Sequence, residues 1–444
     1  MNTNRRDFLK ASAAAGMAMV AGPALRAAEP GKKYSLALIG SGWWGGNILR
    51  EALASGECRL AAICDCDTNQ MDRTRRKIEQ LTADTPKPYV DFRELLAREK
   101  PEIVINATPD HWHALITMEA LKAGAHVYVE KPISHTIKEG RAMVNAARAA
   151  DRVVQVGTHR RMSPHNIAGR EFIQSGKAGK IGMIRSFVFY GGGPEKPEPN
   201  AEPPKGMDWD LYCGPAPLRP FNPLMHPRGF RSFLDFANGQ LGDWGIHWLD
   251  QVLWVMDRQY PRRVFSAGGR PIKGPVVNTP EAQTSDAPDH QVSTFDFGDL
   301  TLVWEHRQFA GNNAEKTHPG QPVGCFFYGT EGTFHMGWLD GWTFYPADMR
   351  KPTLHQDAQL HEPDQQNIKE LWANFLACIK SGKRPVCDIE IGHRSTTMAL
   401  LGMLSLKHGK SIQWDGEKET IVGDEAANKL LFRPYRSPWV YPGT

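Results

Sequence analysis

Between Tyr34 and Gly157 the chain repeats one pattern: a short apolar run, a polar turn, then a longer stretch whose apolar positions recur every three or four residues. The apolar runs fall at Tyr34–Ile39, Arg59–Cys64, Tyr89–Val90, Glu102–Thr108, His126–Glu130 and Val153–Gly157. Segments such as His113–Gly124 and Ile137–Asp151 lie between them with helical spacing. Largely apolar strands that alternate regularly with helices predict a parallel sheet covered on both faces, the α/β class.

Past Gly157 the period changes. A helical segment, Ser163–Gln174, leads to a strand-like run, Ile181–Tyr190, and then to a Gly/Pro-rich loop, Gly191–Gly206. The runs Gln291–Phe297, Leu300–Phe309 and Val323–Thr330 alternate in the manner of antiparallel strands. Two helical segments, Asp364–Lys380 and Ile391–Lys407, close the chain, and no internal repeat is present. The expected organisation is a doubly wound parallel sheet over residues 33–157 and an α+β domain, mostly antiparallel, over 158–435.

The first turn carries the sharpest motif. In "LALIGSGWWGG", Leu36–Gly46, the residues Gly40, Gly42 and Gly45 satisfy G-x-G-x-x-G between a strand and a helix read from Asn47 to Ala54. The first Gly makes the tight turn, the second lets a pyrophosphate approach the backbone, and the third lets helix and strand close together. The free amides and positive dipole end of the helix then face the phosphates. The second strand ends in Asp65, about 20 residues past the motif, where an acid can hold the adenosine ribose hydroxyls. Alone, Asp65 reads as a solvated strand-end carboxylate; in this order of elements it points to a dinucleotide-binding Rossmann domain. A carboxylate there repels a 2′-phosphate, which favours NAD over NADP. The basic run Arg73, Arg75, Arg76, Lys77 reads as an exposed helix face.

Composition narrows the setting. A chain of 444 residues exceeds one ordinary core, and its formal net charge of +4 gives no case for a nucleic-acid partner. The N-terminal stretch, with Arg5-Arg6 before Phe8-Leu9-Lys10 and a short Ala/Met/Val run, reads as a twin-arginine export signal over residues 1–28. Cleavage is expected between Ala24 and Glu29, and the apolar run is too short for a stable membrane span. The translocase is then a transient partner and the mature protein periplasmic or otherwise extracytoplasmic. That route carries folded proteins, which suits a cofactor loaded in the cytoplasm. Seven cysteines leave at least one without an intramolecular partner; Cys64 and Cys66 are badly placed to bridge each other, no CxxC pair suggests a metal, and the set reads as mostly structural.

Two constellations could do chemistry. "VEKPISH", Val129–His135, places Glu130 and Lys131 at the carboxyl end of the fifth strand, the edge where open α/β sheets bind ligands. A Lys desolvated there can polarise or protonate a substrate oxygen, although alone it reads as a surface Lys before a Pro turn. In "GQLGDWGIHWLD", Gly239–Asp250, the residues Asp243 and His247 stand four apart, which predicts one face of a helix. A His can take a hydroxyl proton near neutral pH while a neighbouring carboxylate orients it. The plainer reading is a helix-start Asp with a packed His, and Asp250 reads as structural.

The glycine turn, "NATPDHWHA" (Asn106–Ala114), "EKP" (Glu130–Pro132) and the Asp-x-x-x-His pair occur in the order typical of one family. From about Lys33 to the C-terminus the chain resembles the glucose–fructose oxidoreductase/inositol dehydrogenase (Gfo/Idh/MocA) family, and "GMDWDLYCGPAP", Gly206–Pro217, resembles its exported, sugar-directed bacterial branch. The resemblance implies NAD(P), a sugar or polyol substrate, and a second domain whose large open sheet joins copies into a homo-oligomer. It carries Lys131, Asp243 and His247 onto catalytic positions, and Thr108, Pro109 and Glu130 onto the cofactor wall. It also sets His113 near the nicotinamide ribose, so "HWH" (His111–His113) is not read as a metal site. Trp43 and Trp44 depart from the smaller residues usual in that turn and are read as walling the cofactor or a sugar face. Arg161, within His159-Arg160-Arg161, and Tyr190 and His226 are candidate substrate contacts.

The expected activity is oxidation of a sugar, polyol or glycoside hydroxyl with a tightly held NAD. His247 removes the proton, Lys131 supports the oxyanion and Asp243 orients the pair. The alternative is an NAD-dependent glycoside hydrolase that oxidises transiently, eliminates the aglycone and reduces again, for which Tyr190 or His226 would serve as second base. A non-catalytic sensor is opposed by the intact Lys131/Asp243/His247 set.

Overall fold

The computed structural model describes residue 31 and residues 33–311 and 322–442. The expected export signal lies outside the described residues. Strand β1 (Tyr34–Ile39) leads through the glycine turn into helix α1 (Trp43–Ala54). The helix begins earlier than the expected Asn47, because Gly42 is extended at the cap and Trp43 and Trp44 are already helical. Gly40 has φ +86°, and a Cβ there would sit 2.6 Å from the Ala107 carbonyl carbon. A Cβ on Gly45 would overlap the Gly40 carbonyl oxygen, whereas the space at Gly42 is open. Two glycines therefore make the turn and the third leaves room beside it.

β2 (Cys58–Cys64), β3 (Lys87–Tyr89), β4 (Ile103–Asn106), β5 (His126–Val129) and β6 (Val154–Val156) complete a parallel sheet in the order β3-β2-β1-β4-β5-β6. The connecting helices are α2 (Thr68–Ile78), α3 (Phe92–Glu99), α4 (Asp110–Lys122) and α5 (Ile137–Ala149). The order reverses between β1 and β4, and this opens a crevice at the carboxyl ends of the strands. Helix α6 (Pro164–Gln174) then carries the chain to β7 (Ile181–Phe189) in a second sheet.

A two-residue pair, β8 (Glu198–Pro199) with β10 (Ala282–Gln283), and a short helix, α7 (Trp209–Cys213), belong to the long excursion after β7. The second sheet runs β16-β15-β14-β13-β7-β12-β11-β9-β17-β18. Its remaining members are β9 (Arg263–Gly269), β11 (His290–Asp296), β12 (Thr301–Arg307), β13 (Val323–Gly329), β14 (Gly332–Gly337), β15 (Trp342–Pro346), β16 (Leu354–Gln356), β17 (Ile412–Asp415) and β18 (Thr420–Ile421). Only the β7–β12 pair is parallel among the described pairs, so the sheet is mostly antiparallel, as the alternation predicts.

One face of this sheet packs on α6, α8 (Ile246–Val255) and α10 (Ile389–His408), burying Trp248, Trp304, Phe295 and Phe334. The opposite face carries a smaller aromatic group, Phe187, Phe189 and Phe326, with the Arg307 guanidinium 3.9 Å from the Phe189 ring centre. Helix α9 (Ile368–Ser381) returns to the first sheet, where Leu371, Trp372 and Phe375 enter the same core as Leu36 and Ile105. A last short helix, α11 (Glu425–Asn428), precedes the C-terminal tail.

The helix expected to carry both Asp243 and His247 is not uniform. Leu241–Gly245 forms one π-helical turn and α8 starts only at Ile246. The wider turn breaks the α-helical register between the two residues; such insertions are frequent at functional sites.

Candidate active site

A cavity of about 490 Å³ runs from the glycine turn to the start of α8. Gly40, Gly42, Trp43, Trp44, Gly45, Asp65, Thr108, Pro109, His113, Glu130, Lys131, Asp243 and His247 all line it, so the structure brings the expected cofactor and catalytic residues into one space. The crevice at the strand ends supplies one wall and the π turn with α8 the other.

Lys131 follows β5 and reaches across to the π turn. Its Nζ donates to Asp243 Oδ1 at 2.7 Å and to the Asp243 carbonyl oxygen at 2.9 Å. Arg231 joins the same carboxylate, with Nε 3.2 Å from Oδ1. Burial alone would raise the Asp243 carboxyl, but Lys131 and then Arg231 outweigh it and hold it at about 2. Asp243 thus stays charged and fixes the ammonium group of Lys131.

His247 is buried, and its Nδ1 has no hydrogen-bond partner among the described residues. Burial, followed by the charges of Lys131, His159 and Arg160, pushes it well below the usual imidazole range. It is a neutral imidazole, the form that can accept a proton. In contrast to the expectation, Asp243 orients Lys131 rather than His247. Aromatic packing holds the imidazole instead: Trp338 lies 4.9 Å from the His247 ring and Trp244 lies 6.0 Å from it, centre to centre.

The cofactor-side residues are held as follows. Asp65 Oδ2 accepts from the Ser41 N–H and hydroxyl, both at 2.8 Å, and Oδ1 accepts from the Asp67 N–H at 3.0 Å. Glu130 is buried and accepts from the Lys131 N–H at 3.2 Å, while the Trp44 indole bonds to its carboxylate. Gly157 leaves room for that carboxylate, which any Cβ there would overlap. Trp43 is about half exposed, at 53%, and the Arg228 guanidinium lies 5.0 Å from its ring centre. The inner indole is therefore tied to the Glu130 wall and the outer one forms the rim. His113 has Nδ1 2.6 Å from the Pro132 carbonyl oxygen and Nε2 2.7 Å from that of Thr108, so its ring braces the wall with both nitrogens engaged. His111 likewise faces the carbonyls of Phe236 and Tyr212.

The three substrate candidates separate. Arg161 does not line the cavity; it is buried in a two-point ion pair with Asp250, Nε to Oδ2 at 2.8 Å and Nη2 to Oδ1 at 2.9 Å. The successive residues of the 3-10 turn His159–Met162 point different ways: His159 faces the cavity, Arg160 stacks 3.7 Å from the Trp338 ring centre, and Arg161 turns to α8. Tyr190 is not in the cavity wall either, and burial pushes its hydroxyl up. His226 does line the cavity, but Nε2 bonds Asp67 Oδ2 at 2.8 Å, beside the end of β2, which puts it at the ribose end of the crevice. Neither is placed as a second base at Lys131.

Residues that sequence reasoning passed over include Arg231, Trp338, Tyr212 and Asp110, all in the cavity wall. Asp110 stands inside the quoted "NATPDHWHA" motif and was the one with a local signal. Arg231 and Trp338 come from distant segments that only the fold assembles. Among the described residues no group of three or more His, Cys, Asp or Glu side chains is placed to hold a metal ion.

Comparison with known proteins agrees with this geometry. The profile of the Gfo/Idh/MocA oxidoreductase family's NAD-binding Rossmann fold matches residues 34–158, and that of its C-terminal alpha/beta domain matches 179–267 and 342–441. A twin-arginine translocation signal matches residues 2–22. A "Glycosyl hydrolase family 109 protein" of Parabacteroides distasonis is 32% identical over 170 residues, 34% of this chain and 36% of that protein. The "Levoglucosan dehydrogenase" of Pseudarthrobacter phenanthrenivorans is 25% identical over 196 residues, 42% of this chain and 43% of that protein. The aligned region thus spans well under half the length of these curated relatives. Among solved structures, a levoglucosan dehydrogenase complexed with NADH and levoglucosan superposes with a TM-score of 0.63 at 18% identity, covering 86% of this chain and 99% of that one. The aldose–aldose oxidoreductase of Caulobacter crescentus, complexed with glycerol, gives 0.62 at 17% identity, with 86% and 100% covered.

Proposed function

Because the chain belongs to the Gfo/Idh/MocA oxidoreductase family, we propose that it oxidises a hydroxyl of a sugar, polyol or glycoside in this cavity, using a dinucleotide it holds tightly. The observation that carries the reading is the meeting of Lys131, Asp243 and His247 in the same space as the glycine turn. The open backbone at Gly42 would take the pyrophosphate, Asp65 the adenosine ribose, and Thr108, Pro109 and Glu130 the nicotinamide side. Asp65 at that position supports NAD over NADP. When bound, the nicotinamide supplies the acceptor for the substrate's hydride.

The chain's own residues handle the proton and the charge. Neutral His247 accepts the hydroxyl proton. Lys131, fixed by Asp243, donates a hydrogen bond to the oxygen on which negative charge develops. Trp338 and Trp44 offer flat apolar faces, which suit the axial C–H face of a sugar ring. The sequence is exported by the twin-arginine route, so the substrate is met outside the cytoplasm.

A second reading, transient oxidation with loss of an aglycone, is favoured by the glycosidase-named relative. One experiment separates them. The purified protein, checked for bound dinucleotide, is given free sugars and nitrophenyl glycosides without added acceptor. A dehydrogenase leaves a reduced nicotinamide absorbing in the near ultraviolet; a hydrolase releases nitrophenol with no net reduction. Lys131→Ala and His247→Ala should each cost about two to four orders of magnitude in either activity. Wild-type rates in both variants would remove this assignment.

A further inference from the structure

Asp110 is the first residue of α4 and lines the cavity, yet the chemistry above does not use it. It is 7% exposed, and among the described residues no side chain hydrogen-bonds to its carboxylate. Its surroundings explain this. Lys131 from the end of β5 and Arg231 from the loop before the π turn are the two cations facing it, and Asp243 holds both. Two cations with two carboxylates leave one carboxylate paired and the other unclaimed beside it. His113, one turn along α4, is occupied by backbone carbonyls and offers Asp110 nothing.

We propose that Asp110 is a second acid–base residue of this site, and that it removes the proton from a substrate carbon adjacent to a carbonyl. The inference rests on the oxidoreductase reading, which makes such a carbonyl. In the step, the C–H bond breaks, its proton goes to an Asp110 carboxylate oxygen, and its electron pair forms the carbon–carbon double bond of an enolate. The negative charge moves to the former carbonyl oxygen, which Lys131 stabilises. Return of a proton from Asp110 restores the ketone with either configuration at that carbon. If an alkoxy group stands on the next carbon, the same pair expels it. The site would thus support epimerisation or elimination on a keto-sugar in addition to hydride transfer.

Proton transfer at carbon asks for a base whose affinity is near the working pH. Burial raises the Asp110 carboxyl; Lys131 and Arg231 pull it down and Asp243 pushes it up, and the result is about 7.

The test has two arms. Without substrate, difference infrared spectroscopy of the whole protein should show a protonated carboxyl titrating at about pH 7, absent in Asp110→Asn. With substrate, the 2-, 3- and 4-keto derivatives of methyl β-D-glucoside are incubated in deuterium oxide and, separately, with NADH. The wild type should wash deuterium into at least one ketone. Asp110→Asn should lose that exchange by a factor of about 100 or more while still reducing the same ketone with NADH. Exchange at the wild-type rate in Asp110→Asn, or reduction without exchange in the wild type, overturns the proposal. If no ketone is reduced, the oxidoreductase reading fails instead, and the infrared arm decides: a wild type with no such titrating carboxyl overturns the role of Asp110.

Discussion

Residues His226 to Arg231 form a strap along one wall of the cavity, and its fastenings set how fast a dinucleotide leaves. His226 Nε2 meets Asp67 Oδ2 at 2.8 Å, Arg228 lies over Trp43, and Arg231 meets Asp243. The first tie joins the long excursion after β7 to the end of β2, with both side chains nearly buried, at 10% and 3% exposed. In His226→Ala the Asp67 Oδ2 atom keeps its burial and loses its partner, at a cost of about 1–3 kcal/mol to the closed arrangement only. At about 1.4 kcal/mol per tenfold change, the closed state loses roughly 5- to 150-fold in population. The dinucleotide release rate should rise by the same factor. Arg228→Ala removes a contact worth about 0.5–1 kcal/mol at an exposed ring and should raise release only about two- to five-fold. The assay follows loss of labelled dinucleotide into an excess of unlabelled NAD, with thermal unfolding of the dinucleotide-free protein as control. A His226→Ala release rate within twofold of wild type, at unchanged unfolding temperature, refutes the reasoning.

Three further outcomes follow from the same geometry. Asp110 is an acid whose folded value, about 7, exceeds its unfolded value near 3.8, so folding stability falls as pH rises between those values. Asp110→Asn should therefore be the more stable protein at pH 8, by an order of a few kcal/mol, with the gap closing towards pH 4 in urea titrations. Gly45→Ala would press a methyl group on the Gly40 carbonyl and, at 3.3 Å, on the Ala107 Cβ. A loss of about 1–3 kcal/mol in stability and failure to bind NAD by calorimetry are expected. Replacing Arg5 and Arg6 by Lys should trap the protein in the cytoplasm, read by cell fractionation.

What could be read from the chain was what neighbours in sequence decide. The six strands of the first sheet and the glycine turn each announce themselves in under twelve residues. The start of α1 did not, because Gly45 and Gly46 depress helix propensity where packing against β1 and β4 imposes a helix. The pairing of Asp243 with His247 assumed a uniform α-helix, and a single π turn redirected the carboxylate to Lys131, 112 residues away. Arg160 and Arg161 look alike in sequence, and only the tight turn that holds them separates an ion pair from a stacked cation. Asp110 passes for an ordinary helix-start acid, where the dipole favours the charged form. Burial beside a carboxylate that already owns both cations reverses that expectation, and no local pattern records it.

The same features connect the chemistry to the export route. All seven cysteines are free, six of them buried, and the two sheets are joined instead by α9 and by buried ion pairs such as Arg433–Glu139. Nothing in that set needs an oxidising compartment, so the fold can close in the cytoplasm, where a dinucleotide is at hand, before the twin-arginine route carries it out folded. A cofactor brought along in this way is not replaced by mass action outside and has to be restored in place. The site must then run proton transfer in both directions. His247, pushed well below the usual imidazole range, accepts a proton readily only while Lys131 and Arg160 permit it and gives it up quickly. Asp110, at about 7, is the group in this cavity on which a proton can rest between the two halves of such a cycle.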